Sequence, residues 1–381
     1  MNKFCILAAG KGTRNNNIEG LHKALLPLEN KPVISHIIDK LGDTEIVIAV
    51  GYKSEQIKTY MNTVHSDKNI TYVDVDNFDE VGSGPGYSLL CCKEELQEPF
   101  VFTSVDTLVT DNIDIMSIEE NWLGVSLVEE EESLQYCLVE GSKYLDRLYY
   151  GTGNTAYIGM AGIYDYKSFW DSLEEHQIIK DEYQVIHGFD GLEHMKLINF
   201  TWYDTGNNDS YAETKKVFCN DVVANKSDEA IFIDNGKVVK YFDDKYKVSK
   251  RIKRADYLNG NCPKIEYVND NMYSYDFIKG DLLSNIYDES LMWDFLNYCK
   301  NNLWLHTDKD GMFLDNCKEM YETKTKSRVK SLSGSDLDNI KIVNGVKVEP
   351  ILKMLNEINW SMFYTDSIST LFHGDLQPEN I

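Results

Sequence analysis

The chain has 381 residues and a formal net charge of −24, with 38 lysine and arginine side chains against 62 aspartate and glutamate side chains. Acidity at this level repels nucleic acids and anionic membranes, which excludes both as main partners. No apolar run reaches the ~18 residues that a membrane-spanning helix needs. The eight cysteines include no C-x-x-C pair, which argues against structural zinc. These features predict a cytoplasmic protein with reduced thiols.

The charge is spread unevenly along the chain. Residues 1–222 carry 17 basic and 37 acidic side chains, a net charge of −20, whereas residues 223–381 carry 21 and 25, a net charge of −4. The polar, aperiodic segment 220–229 separates the two parts and is typical of a linker. Length and charge therefore predict two domains, at 1–222 and 228–381.

The first hundred residues alternate between apolar runs and segments of helical spacing. Strands are predicted at 4–10, 45–51, 70–76 and 100–106, and helices at 33–41, 54–64 and 87–96. This alternation predicts a Rossmann-like α/β domain with a mixed, mostly parallel sheet. Ligands bind to such sheets at the carboxyl ends of the strands, so residues 10–14 and Asp106 become candidates.

The pattern changes at about residue 122, where antiparallel strands become the better interpretation. They are predicted at 122–128, 135–141, 155–165 and 196–204, with a closing helix at 210–218. The charge run 128–136, VEEEESLQY, is predicted to be a solvent-exposed edge. Further along, AIFIDNGKVVKYF (230–242) predicts a hairpin with an Asn-Gly turn at 235–236, and helices are expected near 288–304, 313–330 and 349–363.

Residues 7–14, LAAGKGTR, combine a strand end with a glycine-rich turn and two cations. Glycines let backbone N–H groups approach a triphosphate, and Lys11 and Arg14 would offset its charge. The spacing does not fit a Walker A loop. Taken alone, the segment would more often be a strand-to-helix turn that carries surface cations.

The following segment, HKALLPLENKPVI (22–34), favours the phosphate-binding interpretation of residues 7–14. Together the two segments resemble the signature of nucleotidyltransferases that make activated sugars and head groups, L-A-A-G-x-G-x-R followed by Pro-Lys and Lys-Pro. His22 stands where proline is usual, while Lys23, Lys31 and Pro32 match. The resemblance implies that Lys23 bridges the α-phosphate of an NTP and the attacking oxygen.

The same resemblance implies a magnesium site and a nucleotide site. Asp106 in SVDTL and Asp204 in WYDTGN match the two metal-binding aspartates, although each alone could be a turn or capping residue. Mg²⁺ is the implied cofactor, and Lys11 and Arg14 would hold the leaving pyrophosphate. The expected nucleotide-binding residues are Leu7, Ala8, Ala9, Gly10, Lys11, Gly12, Thr13, Arg14, Gly82, Ser83 and Gly84.

Base selection is expected in the glycine-rich segment EVGSGPGYSLLCC (80–92), where the backbone could approach a nucleobase edge. Its YSL ending resembles the loop of bacterial phosphocholine-type cytidylyltransferases more than that of glucose-1-phosphate thymidylyltransferases. CTP is therefore the favoured nucleotide. A flexible glycine loop without base contacts is the alternative.

The last ten residues, FHGDLQPENI (372–381), resemble the H-G-D-x-x-x-x-N catalytic loop of aminoglycoside phosphotransferases and choline kinases. HGD by itself is equally compatible with a turn and helix cap. The resemblance implies that Asp375 orients or deprotonates an acceptor hydroxyl and that Asn380 binds Mg²⁺. Lys240 in GKVVKYF would hold the phosphates of ATP, and residues 273–283 would form the hinge that meets adenine.

Residues 228–381 are thus expected to form a partial, two-lobed kinase-like α+β domain. No second metal-binding aspartate follows the loop, and the segment KVSKRIKRADYL offers no glutamate to pair with Lys240. We therefore expect a truncated kinase without phosphotransferase activity in this chain.

The combined expectation is a Mg²⁺-dependent nucleotidyltransferase that joins an NMP, with CTP favoured, to a small phosphorylated alcohol, amino alcohol or sugar for capsule or surface glycan synthesis. In a complete bifunctional protein, the kinase-like part would use ATP to make that phosphorylated substrate. A sugar-1-phosphate nucleotidyltransferase that uses UTP or dTTP is the first alternative, and a nucleotide-sensing regulatory protein is the second. The sequence does not define the oligomeric state.

Overall fold

The computed structural model describes residues 3–13, 18–111, 119–175, 182–219, 226–258, 260–286, 288–332, 340–371, 373–374, 376–378 and 381. The chain forms two compact units. The first contains residues 1–252 and 264–278, and the second contains residues 253–263 and 279–381.

The first unit is built from strands and helices that alternate in its first hundred residues and are mostly strands afterwards. The strands are β1 (Lys3–Ala8), β2 (Pro27–Leu28), β3 (Lys31–Pro32), β4 (Glu45–Val50), β5 (Ile70–Asp74), β6 (Phe100–Ser104), β7 (Thr107–Val109), β8 (Trp122–Leu127), β9 (Leu138–Gly141), β10 (Leu145–Tyr149), β11 (Thr155–Ile163), β12 (Lys196–Asn199), β13 (Trp202–Asp204), β14 (Glu229–Asp234), β15 (Lys237–Phe242), β16 (Glu266–Asn269) and β17 (Met272–Asp276). The helices are α1 (Val33–Ile38), α2 (Ser54–Val64), α3 (Pro85–Cys91), α4 (Tyr166–Glu175), α5 (Asn208–Phe218) and α6 (Lys245–Leu258).

The main sheet has the order β10-β9-β11-β6-β1-β4-β5, and β8 joins it through β11. Strands β5, β4, β1 and β6 run parallel, whereas β11 is antiparallel to β6, β8 and β9. Strand β12 returns parallel to β8. The predicted mixed α/β sheet is therefore confirmed. The predicted strand 196–204 is divided, because β12 pairs with β8 and β13 pairs with β7.

Both faces of the parallel strands β1, β4 and β6 are buried. Along β1, Phe4 and Ile6 belong to the core on one face, whereas Cys5 and Leu7 belong to the core on the other face. Helices α1 and α2 cover the first face, and α3 and α4 cover the second. A strand covered on both sides reads as a continuous apolar run, which is why FCILAAG lacks alternation.

A four-stranded antiparallel sheet, β14-β15-β17-β16, belongs to the same unit. Asn235 and Gly236 have φ angles of +44° and +72°, so the predicted Asn-Gly hairpin turn is confirmed. Phe232 of β14 is fully buried, and its ring centroid lies 5.3 Å from that of Tyr60 on α2. The hairpin thus packs into the core of the α/β unit.

One buried carboxylate anchors this hairpin. Asp234 Oδ2 accepts a hydrogen bond from Tyr60 Oη at 3.1 Å and lies 3.1 Å from His65 Nε2, while its Oδ1 lies 3.3 Å from Lys31 Nζ. The predicted linker at 220–229 falls partly on residues 220–225, which lie outside the described residues. The described part of the chain resumes at Lys226 and enters β14 three residues later.

The second unit is mainly helical. It contains α7 (Glu289–Tyr298), α8 (Phe313–Lys318), α9 (Lys324–Ser331) and α10 (Ile351–Glu357), and a short hairpin of β18 (Ile342–Val343) and β19 (Val346–Lys347). Five-residue π-helical turns follow α7 at Cys299–Leu303 and join α8 to α9 at Glu319–Thr323. The three predicted helical regions are confirmed, with these interruptions. Among the described residues, no helix is both long and apolar enough to cross a membrane.

Candidate active site

The candidate site lies at the carboxyl edge of the parallel strands. Strand β1 ends at Ala8 and leads into Gly10, and its parallel neighbour β6 ends at Ser104, two residues before Asp106. Strand β13 brings Asp204 to the same place, because Asp204 is paired with Thr107 and the Thr205 N–H donates to the Asp106 carbonyl at 3.0 Å. Two aspartates 98 positions apart in sequence thus become neighbours.

The carboxylates of Asp106 and Asp204 converge around Gly206. A Cβ atom at Gly206 would lie 3.0 Å from Asp204 Oδ1 and 3.3 Å from Asp106 Oδ2. The Gly206 N–H also donates to Asp204 Oδ1 at 2.8 Å. Glycine is required here because any side chain would enter the space between the two carboxylates. Burial, and next the charge of Asp106, raises the pKa of Asp204.

Lys23 completes this cluster. Its Nζ lies 2.7 Å from Asp106 Oδ2, and both side chains are mostly buried. The glycine turn after β1 packs on the lysine stem, since a Cβ at Gly12 would lie 2.8 Å from Lys23 Cδ. Gly12 also has a φ of +62°, a conformation that side chains disfavour. The structure thus brings Gly12, Lys23, Asp106 and Asp204 together.

The other predicted residues of the first loop have different surroundings. Leu7, Ala8 and Ala9 are buried in or next to β1, and Gly10, Lys11, Gly12 and Thr13 follow them at the edge of the sheet. Lys11 forms an ion pair with Asp79, and its Nζ lies 6.0 Å from the ring centroids of Tyr52 and Phe78. Phosphate binding to Lys11 would have to compete with this ion pair. Arg14 lies outside the described residues.

The predicted base-selecting loop contacts another segment of the protein. Tyr183 N–H donates to the Ser83 carbonyl at 2.8 Å, and Gly86 N–H donates to the Tyr183 carbonyl at 2.8 Å. A Cβ at Gly84 would lie 2.7 Å from the Tyr183 carbonyl oxygen. Close packing against residues 183–184 therefore accounts for Gly84 and Gly86. Gly82 has a φ of +87°, in the left-handed region that favours glycine.

Lys240 lies on β15, in the first unit, and is half-buried. Its Nζ lies 5.7 Å from the ring centroid of Tyr275 on β17. Burial, followed by the positive charge of Arg251 on α6, lowers the pKa of Lys240. Asp375 and Asn380 lie outside the described residues.

The sequence analysis did not identify two residues that lie at the site, His22 and Tyr136. His22, which was noted only as standing where proline is usual, is fully buried beside Lys23. Tyr136 ends the charge run that was predicted to be a solvated edge, yet its hydroxyl donates to Asp204 Oδ2 at 3.4 Å. In the sequence, the feature that sets Tyr136 apart is its position as an aromatic residue at the end of an acidic run.

The donor set of the cluster fits Mg²⁺. Carboxylate oxygens are hard ligands, and Mg²⁺ is commonly held by one or two protein carboxylates together with substrate phosphates and water. In the part of the chain that the structure describes, no group of three or more His, Cys, Asp or Glu side chains is arranged to hold a metal ion. A cation at Asp106 and Asp204 would therefore have two carboxylate ligands from the described residues, and water and substrate phosphates could complete its coordination.

The first unit thus has a mixed α/β sheet with a lysine–carboxylate cluster at the carboxyl edge of its parallel strands. Residues 4–139 match the family model of the MobA-like NTP transferase domain, so the N-terminal part of the chain carries such a domain.

Sequence relatives match part of the chain. The bifunctional protein GlmU of Methanococcus maripaludis strain C5 is 32% identical over 131 residues, which cover 34% of this chain and 30% of GlmU. The UTP--glucose-1-phosphate uridylyltransferase AglF of Haloferax volcanii is 30% identical over 112 residues, covering 28% of this chain and 44% of AglF. The chain thus matches about a third to a half of the length of these relatives.

Solved structures resemble the fold of the first unit. The CTP:phosphocholine cytidylyltransferase of Streptococcus pneumoniae superimposes with a TM-score of 0.50 and 17% identity, covering 57% of this chain and 100% of that structure. This likeness extends beyond the residues matched by the family model and concerns the fold alone.

Proposed function

We propose that the first unit is a Mg²⁺-dependent nucleotidyltransferase that joins an NMP to a small phosphorylated substrate and releases pyrophosphate. The observation that carries this proposal is the convergence of Lys23, Asp106 and Asp204 at the carboxyl edge of a domain whose residues 4–139 match the MobA-like NTP transferase model. The lysine supplies a phosphate-binding cation, and the two carboxylates beside it supply oxygen ligands for a divalent ion.

In the proposed reaction, an oxygen of the substrate phosphate forms a bond to the α-phosphorus of the NTP. The bond from the α-phosphorus to the bridging oxygen breaks, and pyrophosphate leaves with that oxygen. Lys23 Nζ would move from Asp106 toward the α-phosphate and offset its charge. Asp106 and Asp204 would hold Mg²⁺, which supplies charge neutralisation to the phosphates. Lys11, Arg14 and the backbone of residues 10–13 would hold the leaving group.

CTP and UTP are both candidate nucleotides. The loop 80–92 favours CTP through its resemblance to the phosphocholine-type enzymes, whereas one relative that shares 30% identity is named for UTP and glucose 1-phosphate. The substrate class is a phosphorylated alcohol, amino alcohol or sugar, and the product would be an activated precursor for surface glycan assembly.

The test is a screen of the four common NTPs and dTTP against phosphocholine, phosphoethanolamine, glycerol phosphate and hexose 1-phosphates, with pyrophosphate release as the signal. Activity that requires Mg²⁺ and is lost in Asp106→Asn supports the proposal. Binding of an NTP without turnover of any substrate would instead favour a nucleotide-sensing protein.

We also propose that residues 228–381 carry a kinase-like part. Support comes from the half-buried Lys240 on a four-stranded antiparallel sheet, with α6 connecting β15 to β16. Its charged neighbour on α6 is Arg251, where a kinase has a glutamate. Because Arg251 stands near Lys240 in place of a glutamate, we expect this chain to show no ATP-dependent phosphorylation of choline, ethanolamine, glycerol or hexoses, and phosphorylation that is lost in Lys240→Met would contradict this expectation.

A further inference from the structure

Residues 18–22, which directly precede Lys23, are held from several sides. Gly20 carbonyl accepts hydrogen bonds from Lys53 Nζ at 2.6 Å and from Gln56 Nε2 at 2.8 Å, both at the start of α2. The Tyr241 hydroxyl on β15 donates to the Glu19 carbonyl at 3.2 Å. The chain immediately before Lys23 is therefore held by side chains from the start of α2 and from β15.

His22 is the last residue of this segment, and each of its polar atoms is engaged. Its backbone N–H donates to Gln56 Oε1 at 2.9 Å, and its Nδ1 accepts from the Ala24 N–H at 3.1 Å. Because Nδ1 is an acceptor, the neutral ring carries its hydrogen on Nε2. Nε2 lies 3.3 Å from the Gly10 carbonyl and donates to it.

The imidazole is completely buried, so a charged ring would be costly. Burial, and next the charge of Lys23, lowers the pKa of His22 to about 3. The ring is therefore neutral at physiological pH and keeps one donor and one acceptor in fixed positions. Its donor reaches the first residue of the glycine turn, and its acceptor caps the short helical turn Lys23–Leu25.

We propose that His22 is a positioning residue, which ties the Gly10 carbonyl to the backbone around Lys23 and so sets the separation between the glycine turn and the lysine ammonium. This inference rests on the proposed nucleotidyl transfer. Proline, the usual residue in the resembling family, has no N–H to donate to Gln56 and no side-chain group to reach Gly10 or Ala24. Where the family has a rigid proline ring, this chain thus has a histidine that is held by three hydrogen bonds, to Gln56, Ala24 and Gly10. We refer to these three hydrogen bonds as the clamp.

Two variants separate the contacts of the clamp. In His22→Asn, the side-chain oxygen still caps Ala24, but the side chain is too short to reach Gly10. In His22→Gln, the longer amide can donate to the Gly10 carbonyl and restore the tether. We expect kcat for pyrophosphate release to fall about tenfold or more in His22→Asn, because small misplacements of a catalytic group are costly. The glutamine variant should recover most of this loss.

The matched control is His36→Asn. His36 Nε2 makes the same kind of contact, 3.1 Å from the Leu28 carbonyl, but on α1 and away from the cluster. This variant should lower the unfolding midpoint and leave kcat and KM for the NTP unchanged. A general loss of stability in the His22 variants would lower the amount of folded protein but leave kcat and KM per folded molecule unchanged. A fall in kcat per folded molecule therefore distinguishes a positioning role from a loss of stability.

Wild-type kinetic constants in folded His22→Asn would overturn the role of His22 while leaving the proposed function intact. Equal losses in the asparagine and glutamine variants would also overturn it, since the tether to Gly10 would then be irrelevant. A wild-type chain that releases no pyrophosphate with any NTP would contradict the proposed function, and the inference with it.

Discussion

Lys23 Nζ lies 2.7 Å from Asp106 Oδ2, and this ion pair joins residues that are 83 positions apart in the chain. Only 16% and 21% of the two side chains are exposed. Asp204 approaches the same carboxylate from β13, as the short distances to Gly206 require. Lys23 therefore offsets part of a concentrated negative charge before any substrate binds.

Removing this charge should abolish most activity. Lys23→Met keeps an apolar stem and loses the ammonium, and we expect pyrophosphate release to slow by about 10²–10³-fold, because a fixed charge that faces developing charge contributes this much to catalysis. Single-turnover kinetics at saturating NTP measure the effect. Lys216→Met removes an exposed lysine that pairs with Glu213 and should retain wild-type rates. Comparable rates in both variants would contradict the assigned role of Lys23.

Gly12 should be more sensitive to substitution than its backbone conformation alone explains. Gly12→Ala brings a Cβ to 2.8 Å from Lys23 Cδ, whereas Gly42→Ala adds a Cβ with nothing within 4 Å, at a comparable φ of +53°. Both variants should lose about 1 kcal/mol of stability from the left-handed backbone. The activity loss should be confined to Gly12→Ala, because that Cβ displaces the lysine. Parallel denaturant curves and rate measurements distinguish the two effects.

Asp204 should destabilise the protein when no divalent cation is bound. Its pKa is raised, first by burial and then by Asp106, so its ionised form is less favourable in the folded chain than in the unfolded chain. The resulting cost is absent below the pKa of the unfolded chain and develops as pH rises through the folded pKa. Asp204→Asn should therefore unfold at a higher temperature than wild type at pH 7 in EDTA, and should be inactive.

The same comparison has two internal checks. The advantage of Asp204→Asn should shrink as the pH is lowered, and Mg²⁺ should raise the unfolding midpoint of wild type more than that of the variant. An unchanged or lower midpoint for the variant at pH 7 would show that the two carboxylates do not repel each other significantly.

The contribution of Asp234 to the stability of the fold has the opposite pH dependence. Burial alone would raise its pKa, but hydrogen bonds led by that from His65, together with the charge of Lys31, hold the pKa of Asp234 well below its usual range. Its contribution is therefore complete above the unfolded pKa of about 4 and is lost as pH falls toward the folded pKa. Asp234→Asn should cost about 1–3 kcal/mol of unfolding free energy at pH 7. The difference from wild type should diminish below pH 4 in urea titrations.

The hairpin should be necessary for a stable first unit. A fragment that ends at residue 219 lacks Phe232, which covers Tyr60, and lacks the carboxylate that meets His65. We expect this fragment to aggregate or to unfold without cooperativity, because it exposes apolar surface on α2. A fragment that ends at residue 278 should unfold cooperatively. Calorimetry on both fragments provides the comparison, and a stable, monomeric 1–219 fragment would restore the boundary predicted from charge.

The sequence predicted elements well where local patterns determine them. Helix α2 was predicted at 54–64 and spans Ser54–Val64, since its apolar residues repeat at helical spacing. The Asn-Gly turn likewise predicts its own hairpin. The parallel pairing of β12 with β8 was not predictable, because the two strands are about seventy residues apart and neither carries a code for its neighbour.

Site prediction had the same limit. Asp106 and Asp204 were named from motif resemblance, and the charge cluster follows from pairing between β7 and β13. The roles of Gly206 and His22 depend on distances of about 3 Å in three dimensions, which residue identity alone does not reveal. The contact of the 229–242 hairpin with α2 likewise cannot be read from charge counts, because they describe composition and not packing.

The hydrogen bond between Tyr241 and Glu19 spans 222 positions of sequence and has a consequence for biosynthesis. A chain that leaves the ribosome at about 5–20 residues per second needs roughly ten to forty seconds between these two residues. During that interval the parallel strands and the contacts from Lys53 and Gln56 to this segment can form, but the contact from Tyr241 is still missing. The segment before Lys23 therefore gains its hydrogen bond from β15 only after residue 241 has been made, more than two hundred residues after the segment itself.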